Sequence, residues 1–122
     1  MSARILVVED NPNILVSLEF LLKNAGYDVI TANDGVRGWS ALEQQQPDLV
    51  VLDIMLPALD GFELCRRVRS AATLKKTRIL ILSARGHDAE VEKGLQLGAD
   101  AYMRKPFGTH EFLDTVTQLL AR

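Results

Sequence analysis

Short apolar runs alternate with longer amphipathic stretches along the chain. Five runs rich in β-branched and aliphatic residues predict strands. They are Arg4–Val8, Tyr27–Thr31, Asp48–Asp53, Arg78–Ser83 and Ala101–Arg104. The first, third and fourth are almost uninterrupted apolar runs, which is typical of strands covered on both faces of a parallel sheet. The more polar second run indicates a strand nearer an edge of the sheet.

The stretches between the strands predict five helices, because their apolar residues recur three and four positions apart. Asp60 can cap the third helix, with Glu63 three residues later to complete a capping box. The helices are predicted to run from Pro12 to Gly26, from about Asp34 to Gln45, from Asp60, from about Asp88 to Gln96, and from Gly108 or Thr109.

This alternation of strands and helices predicts an α/β fold with a doubly wound parallel sheet and helices on both faces. Five strands are too few to close an eight-stranded barrel. Right-handed crossovers then favour the strand order 2-1-3-4-5, the flavodoxin-like (βα)5 arrangement. A length of 122 residues is usual for one domain, so a single domain over residues 1–122 is expected.

Composition and charge exclude several classes of protein. Hydrophobic residues make up 48% and charged residues 25%, which excludes a disordered or fibrous chain. A net charge of −2 argues against direct nucleic-acid binding by electrostatics. No apolar run approaches the roughly 20 residues of a membrane span. The single cysteine, Cys65, excludes an internal disulfide framework and predicts a reducing, cytoplasmic location.

Polar side chains follow the central predicted strands at the point where each strand ends. The first strand is followed by Glu9 and Asp10, the third ends at Asp53, the fourth ends at Ser83, and Lys105 follows the fifth. In doubly wound sheets, ligands bind beyond the carboxyl ends of the strands, where the winding reverses. In the order 2-1-3-4-5 that point lies between the first and third strands.

These residue types in this arrangement indicate phosphoryl transfer. Neighbouring strands lie about 4.8 Å apart, so three carboxylates at their ends must crowd and repel unless a cation intervenes. A hard divalent cation such as Mg²⁺ takes oxygen ligands of this kind, whereas zinc would need Cys or paired His. Lys105 supplies a further positive charge and Ser83 a hydroxyl. Asp53 is the predicted acceptor of the phosphoryl group.

Several short motifs, in order and at these spacings, closely resemble the receiver domain of bacterial two-component response regulators. The resemblance covers essentially the whole chain. Its motifs are Val7–Asn11, Asp48–Pro57, Asp60-Gly61, Ile81–Ala84, Gly98–Tyr102 and Lys105–Phe107.

The resemblance implies a role for each site residue. Asp53 resembles the aspartate that a partner histidine kinase, or a phosphotransfer protein, phosphorylates. Asp10 resembles a direct Mg²⁺ ligand, Glu9 a ligand through water, and the backbone carbonyl of Met55 the remaining protein ligand. Lys105 resembles the lysine that pairs with the phosphoryl group, and its bond to the following proline is typically cis.

The resemblance also implies a two-state switch. Ser83 resembles the switch hydroxyl and Tyr102 the switch aromatic, which turns inward when the hydroxyl moves toward the phosphoryl group. The face that changes would be the fourth helix, fifth strand and fifth helix, read by a downstream effector domain or protein. Such a domain catalyses only its own phosphorylation and dephosphorylation. Met55 and Arg85 stand where the family tunes dephosphorylation, and they predict moderate loss of the phosphoryl group.

Other classes of protein fit less well. An aspartyl-phosphate hydrolase of the haloacid-dehalogenase type needs a second acid where Met55 stands. A flavodoxin-like cofactor binder would meet repulsion between its phosphate and Glu9-Asp10. Ser83 lacks the setting of a nucleophilic serine. A receiver-fold scaffold that works without phosphorylation is the main alternative, although such a protein often loses the acceptor aspartate or the lysine.

Overall fold

The computed structural model describes residues 2–83 and 88–122. A parallel sheet of five strands, in the order β2-β1-β3-β4-β5, lies at its centre. The predicted α/β fold and strand order are confirmed. The prediction for Arg85 falls outside the described residues. The strands are β1 (Arg4–Val8), β2 (Asp28–Ala32), β3 (Leu49–Asp53), β4 (Arg78–Ser83) and β5 (Ala101–Arg104).

Five α-helices connect and cover the strands in the described part of the chain. They are α1 (Pro12–Asn24), α2 (Gly35–Gln45), α3 (Gly61–Ser70), α4 (Asp88–Gln96) and α5 (Thr109–Leu120). None of these helices is long and apolar enough to cross a membrane.

Side-chain caps explain where three helices begin. The Asn11 side chain accepts hydrogen bonds from two backbone N–H groups of α1, and the Asp34 side chain accepts one from the Arg37 N–H of α2. Asp60 Oδ1 accepts from the Glu63 N–H at 2.9 Å, as predicted for α3. The second half of the predicted capping box is wrong, because the Glu63 carboxylate instead accepts hydrogen bonds from the Arg66 and Arg67 guanidinium groups.

Successive side chains of the central strands point to opposite faces of the sheet, and each face has its own apolar core. Ile5 and Val7 of β1 face α1 and α5, whereas Leu6 and Val8 face α2 and α3. Every residue of β3 is buried. Burial of each large aliphatic side chain contributes about 1.5–3 kcal/mol, so the central strands form a rigid platform.

The register of the sheet brings the carboxyl ends of its central strands to one edge. Val8 of β1 pairs with Leu52 of β3, and Asp53 pairs with Leu82 of β4. Ser83, the next residue of β4, pairs with Arg104 of β5. The residues that follow these pairs therefore meet at the point where the winding of the sheet reverses.

Candidate functional site

Lys105 joins two acidic side chains that lie at the ends of neighbouring strands. Its Nζ donates to Glu9 Oε1 at 2.8 Å and to Asp53 Oδ2 at 2.9 Å. Asp53 is 9% exposed and Glu9 only 2% exposed. The loop from β5 carries Lys105 to this position: its backbone N–H donates to the Ser83 carbonyl at 2.8 Å, and its bond to Pro106 is cis, as the resemblance predicted.

Backbone groups orient the two buried carboxylates. The Asn11 N–H donates to Glu9 Oε2 at 3.1 Å. The Met55 N–H donates to Asp53 Oδ1 at 3.0 Å. Each carboxylate therefore has one oxygen bound to the lysine and the other bound to the backbone. Charge-assisted hydrogen bonds of this kind hold a carboxylate in one orientation.

Glu9, Asp10 and Asp53 form a cluster of possible metal ligands. Each offers a carboxylate oxygen, and these oxygens all lie within 4.8 Å of one another. Asp10 is exposed, so the cluster opens to solvent on its side. With all groups ionised, three carboxylates and one ammonium leave two negative charges at the site. A hard divalent cation that takes oxygen ligands matches both this charge and this donor set.

Burial and charge act in opposite directions on the ionisation of the site. Burial raises the pKa of Glu9, and the charge of Asp53 raises it further, while the hydrogen bonds from Lys105 and Asn11 offset part of the shift. Burial alone would lower the pKa of Lys105, but its hydrogen bonds to the two carboxylates, together with their charges, outweigh burial and raise it. Lys105 is therefore a firmly charged ammonium at neutral pH.

Ser83 lies on β4, the strand next to the acceptor strand β3, and Tyr102 lies on β5, the strand after that in the sheet. Ser83 is completely buried at the end of β4, next to β3 in the sheet. Tyr102 lies on β5 opposite Ile81 and packs, half-buried, against the core on the α2 and α3 side. The structure thus brings Ser83 to the edge that holds the carboxylates. The switching roles of both side chains stay predictions.

The first residue of α3, Gly61, has an importance that the strand-end pattern did not indicate. A Cβ added to Gly61 would lie 2.4 Å from the carbonyl oxygen of Asp53, and the Gly61 N–H donates to the Ile54 carbonyl at 2.9 Å. Only a residue without a side chain allows α3 to begin so close to the acceptor strand. A glycine directly after the capping Asp60 was the available signal in the sequence.

The fold and the acidic site together are those of a signalling receiver domain. The family model for the response regulator receiver domain matches residues 5–117. The chain belongs to this family.

Individual relatives agree with the family assignment. The chain is 43% identical over 122 residues to the alkaline phosphatase synthesis transcriptional regulatory protein PhoP of Bacillus subtilis. The alignment covers 100% of this chain and 50% of PhoP. The chemotaxis response regulator CheY4 of Vibrio cholerae has a TM-score of 0.92 at 29% identity, over 98% of this chain and 99% of its own.

A third relative is a receiver domain whose structure contains a metal ion. The receiver domain of the sensor histidine kinase PA1611 from Pseudomonas aeruginosa was solved with a magnesium ion coordinated in its active site cleft. It has a TM-score of 0.91 at 30% identity, with 100% of both chains covered. The chain spans about half the length of the curated relatives it matches.

Proposed function

We propose that Asp53 accepts a phosphoryl group from a histidine kinase or a phosphotransfer protein, in a reaction that requires Mg²⁺. The observation that carries the proposal is the position of Lys105 Nζ, 2.8 Å from Glu9 and 2.9 Å from Asp53. A charged ammonium beside a carboxylate nucleophile can neutralise the oxygens of an incoming phosphoryl group.

Glu9, Asp10 and Asp53 would hold the metal ion, with the Met55 carbonyl as the further ligand that the family resemblance implies. A bound Mg²⁺ supplies positive charge that offsets the oxygens of the transferred group. The hydrogen bond from the Met55 N–H to Asp53 Oδ1 keeps this residue at the site. The backbone N–H at Asn11 fixes the orientation of Glu9 in the same way.

In the transfer step, a carboxylate oxygen of Asp53 forms a bond to phosphorus. The bond between phosphorus and the imidazole nitrogen of the donor breaks, and its electron pair leaves on that nitrogen. Lys105 then exchanges its contact with the Asp53 carboxylate for one with the transferred oxygens. The near-complete burial of Glu9 and Asp53 strengthens these charge interactions.

Phosphorylation would then shift the population between two conformations of the chain. Ser83 donates to a phosphoryl oxygen, and Tyr102 turns inward in response. The changed surface is formed by α4, β5 and α5, and a downstream effector domain or protein binds the active form of it. Binding of that partner supplies the difference in affinity that a population shift needs.

The proposed domain is a signalling phosphoacceptor in the cytoplasm rather than an enzyme with turnover. Its own residues catalyse only its phosphorylation and its dephosphorylation. PhoP of Bacillus subtilis, of which this chain covers 50%, is named as a transcriptional regulatory protein, which supports a regulatory output through an effector domain.

Incubation with Mg²⁺ and acetyl phosphate, followed by intact-mass measurement, tests this proposal. We expect the wild-type chain to gain one phosphoryl group, with no gain after chelation of Mg²⁺ and none in Asp53→Ala. Asp28→Ala is the matched control, because this exposed aspartate begins β2 at the opposite edge of the sheet. A wild-type chain that gains nothing would favour the phosphorylation-independent scaffold. A gain that persists in Asp53→Ala would mean a different acceptor.

A further inference from the structure

The first turn of α3 lies directly against the end of the acceptor strand. The Gly61 N–H donates to the Ile54 carbonyl at 2.9 Å, and a Cβ at Gly61 would lie 2.4 Å from Asp53 O and 2.8 Å from Ile54 Cα. Because no free space separates Gly61 from Asp53 and Ile54, a shift of the backbone at either residue must also move Gly61. The position of this turn is therefore tied to the backbone of the proposed acceptor.

Phe62, the next residue, extends this contact to α4. The Lys93 ammonium lies 4.5 Å from the centre of the Phe62 ring, within the range of a cation–π interaction. A Cβ at Gly94, the following residue of α4, would lie 3.7 Å from Phe62 Cε1. The ring itself is half-buried and packs against the core beneath α2 and α3. One aromatic side chain thus contacts the charge of Lys93 and lies beside Gly94 in the same helix.

Gly94 is also the place where α4 meets the strands of the proposed switch. A Cβ at Gly94 would lie 3.0 Å from Ile81 Cδ1 on β4 and 3.5 Å from Tyr102 Cδ2 on β5. Phe62 and Tyr102 therefore approach the same glycine from different elements. Because packed side chains move between discrete arrangements, displacement of either ring requires α4 to adjust.

The carboxyl-terminal end of α4 is held by α3 as well. Arg69, in the last turn of α3, donates from Nε to the Gly98 carbonyl at 2.8 Å and from Nη2 to Asp100 Oδ2 at 2.6 Å. Lys93 and Gly94 lie in the carboxyl-terminal half of α4, so α3 contacts this part of the chain at two places.

We propose that Phe62 is a positioning residue that couples the acceptor site to α4 through Lys93 and Gly94, beside the Ser83 and Tyr102 pair. The inference rests on the proposed phosphorylation of Asp53. Movement of the backbone at the acceptor displaces the first turn of α3, and the Phe62 ring transmits this displacement to α4. The coupling acts on the conformational response and leaves the transfer of the phosphoryl group unchanged.

Amide NMR of the whole chain, before and after Mg²⁺ and acetyl phosphate, tests the coupling. Intact mass of the same samples measures the fraction phosphorylated. We expect Phe62→Ala to reduce the phosphorylation-induced shift of the Gly94 and Gly98 amides at least about twofold, at an unchanged phosphorylated fraction. Phe62→Tyr keeps the ring and should restore the shift.

Two further variants separate coupling from loss of structure. Lys93→Met keeps an unbranched side chain but removes the charge, and should reduce the same shifts without touching the core. Phe20→Ala is the matched control, since Phe20 is 64% exposed on α1, on the other side of the sheet. It should leave both readouts unchanged.

The outcomes distinguish this inference from the proposed function. Full amide shifts in Phe62→Ala and Lys93→Met, at normal phosphorylation, would overturn the coupling and leave Asp53 as the acceptor. Equal losses in Phe20→Ala would also overturn it, because the effect would then be unspecific. No phosphorylation of the wild-type chain would overturn the proposed function, and the coupling with it.

Discussion

Arg69 Nη2 donates to Asp100 Oδ2 at 2.6 Å, and this ion pair joins the end of α3 to the turn before β5. The same guanidinium donates to the carbonyl oxygens of Gly98 and Thr77, and Asp100 Oδ2 also accepts from the Ile79 N–H. Three segments of the chain, namely the end of α3, the start of β4 and the turn before β5, thus meet around one partly buried pair. The network lies at the amino ends of β4 and β5, whereas the acidic site lies at the carboxyl ends of the strands.

Removal of the Arg69 side chain should therefore destabilise the fold. Arg69→Ala leaves the Asp100 carboxylate and two carbonyl oxygens without this donor, and we expect the free energy of unfolding to fall by about 2–3 kcal/mol. Urea denaturation measures the loss. In the control Arg37→Ala, the lost pair is exposed and 3.8 Å long, and the fall should stay below about 0.5 kcal/mol. Equal losses in the two variants would contradict the structural role of the network.

Replacement of Lys105 should slow phosphorylation at the acidic site. Lys105→Met leaves Glu9 and Asp53 without the ammonium that each contacts. We expect the rate of phosphorylation by acetyl phosphate to fall about 100-fold, as when one preorganised charge is lost from a transfer site. The time course of intact mass measures the rate. Lys23→Met, which removes a surface ion pair on α1, should keep the wild-type rate. An unchanged rate in Lys105→Met would argue against its proposed role.

Ala58, in the β3–α3 loop, has a left-handed backbone conformation with φ of 69°. This conformation costs an alanine about 1 kcal/mol more than a glycine, although glycine loses more entropy on folding. Ala58→Gly should therefore raise the free energy of unfolding by up to about 1 kcal/mol. Thermal and urea unfolding check the sign. Ala41→Gly is a control with the opposite expected sign, because Ala41 lies inside α2, and it should lower the free energy of unfolding by about 1 kcal/mol. Destabilisation by Ala58→Gly would disprove the relief of strain.

Cys65 is fully buried in α3, and burial raises its pKa from 9.0 to about 11. Because only the thiolate reacts with thiol reagents, modification at pH 8 should be at least about 100-fold slower in the native chain than in urea. The folded pKa lies above the unfolded one. The stability that this thiol contributes is therefore complete below pH 9 and lost as the pH rises from 9 to 11. Fast modification of the native chain would contradict its burial.

Most of the fold could be predicted from the sequence because the sheet is buried on both faces. The bounds of β1, β4 and β5 agree with the prediction to the residue, since each apolar run ends at a polar residue. The predicted starts of β2 and β3 were each one residue too early. The ends of a strand depend on the strands with which it forms hydrogen bonds, and the pattern of polar and apolar residues does not specify where that pairing begins.

The sequence by itself determined which residues reach the acidic edge of the sheet. Strand periodicity and the rule for ligand sites in doubly wound sheets were enough to predict that Glu9, Asp53, Ser83 and Lys105 lie at one edge of the sheet. Both depend only on local pattern and on the handedness of the connections.

Only the tertiary structure decided which groups contact one another. Lys105 bridges Glu9 and Asp53 across 96 and 52 positions of sequence. Glu63 binds two arginines instead of completing its cap, and Gly61 packs on Asp53. Such contacts depend on distances of a few tenths of an ångström, which are set when all the helices pack together on the sheet. The pattern of polar and apolar residues specifies a face, whereas packing specifies the partner.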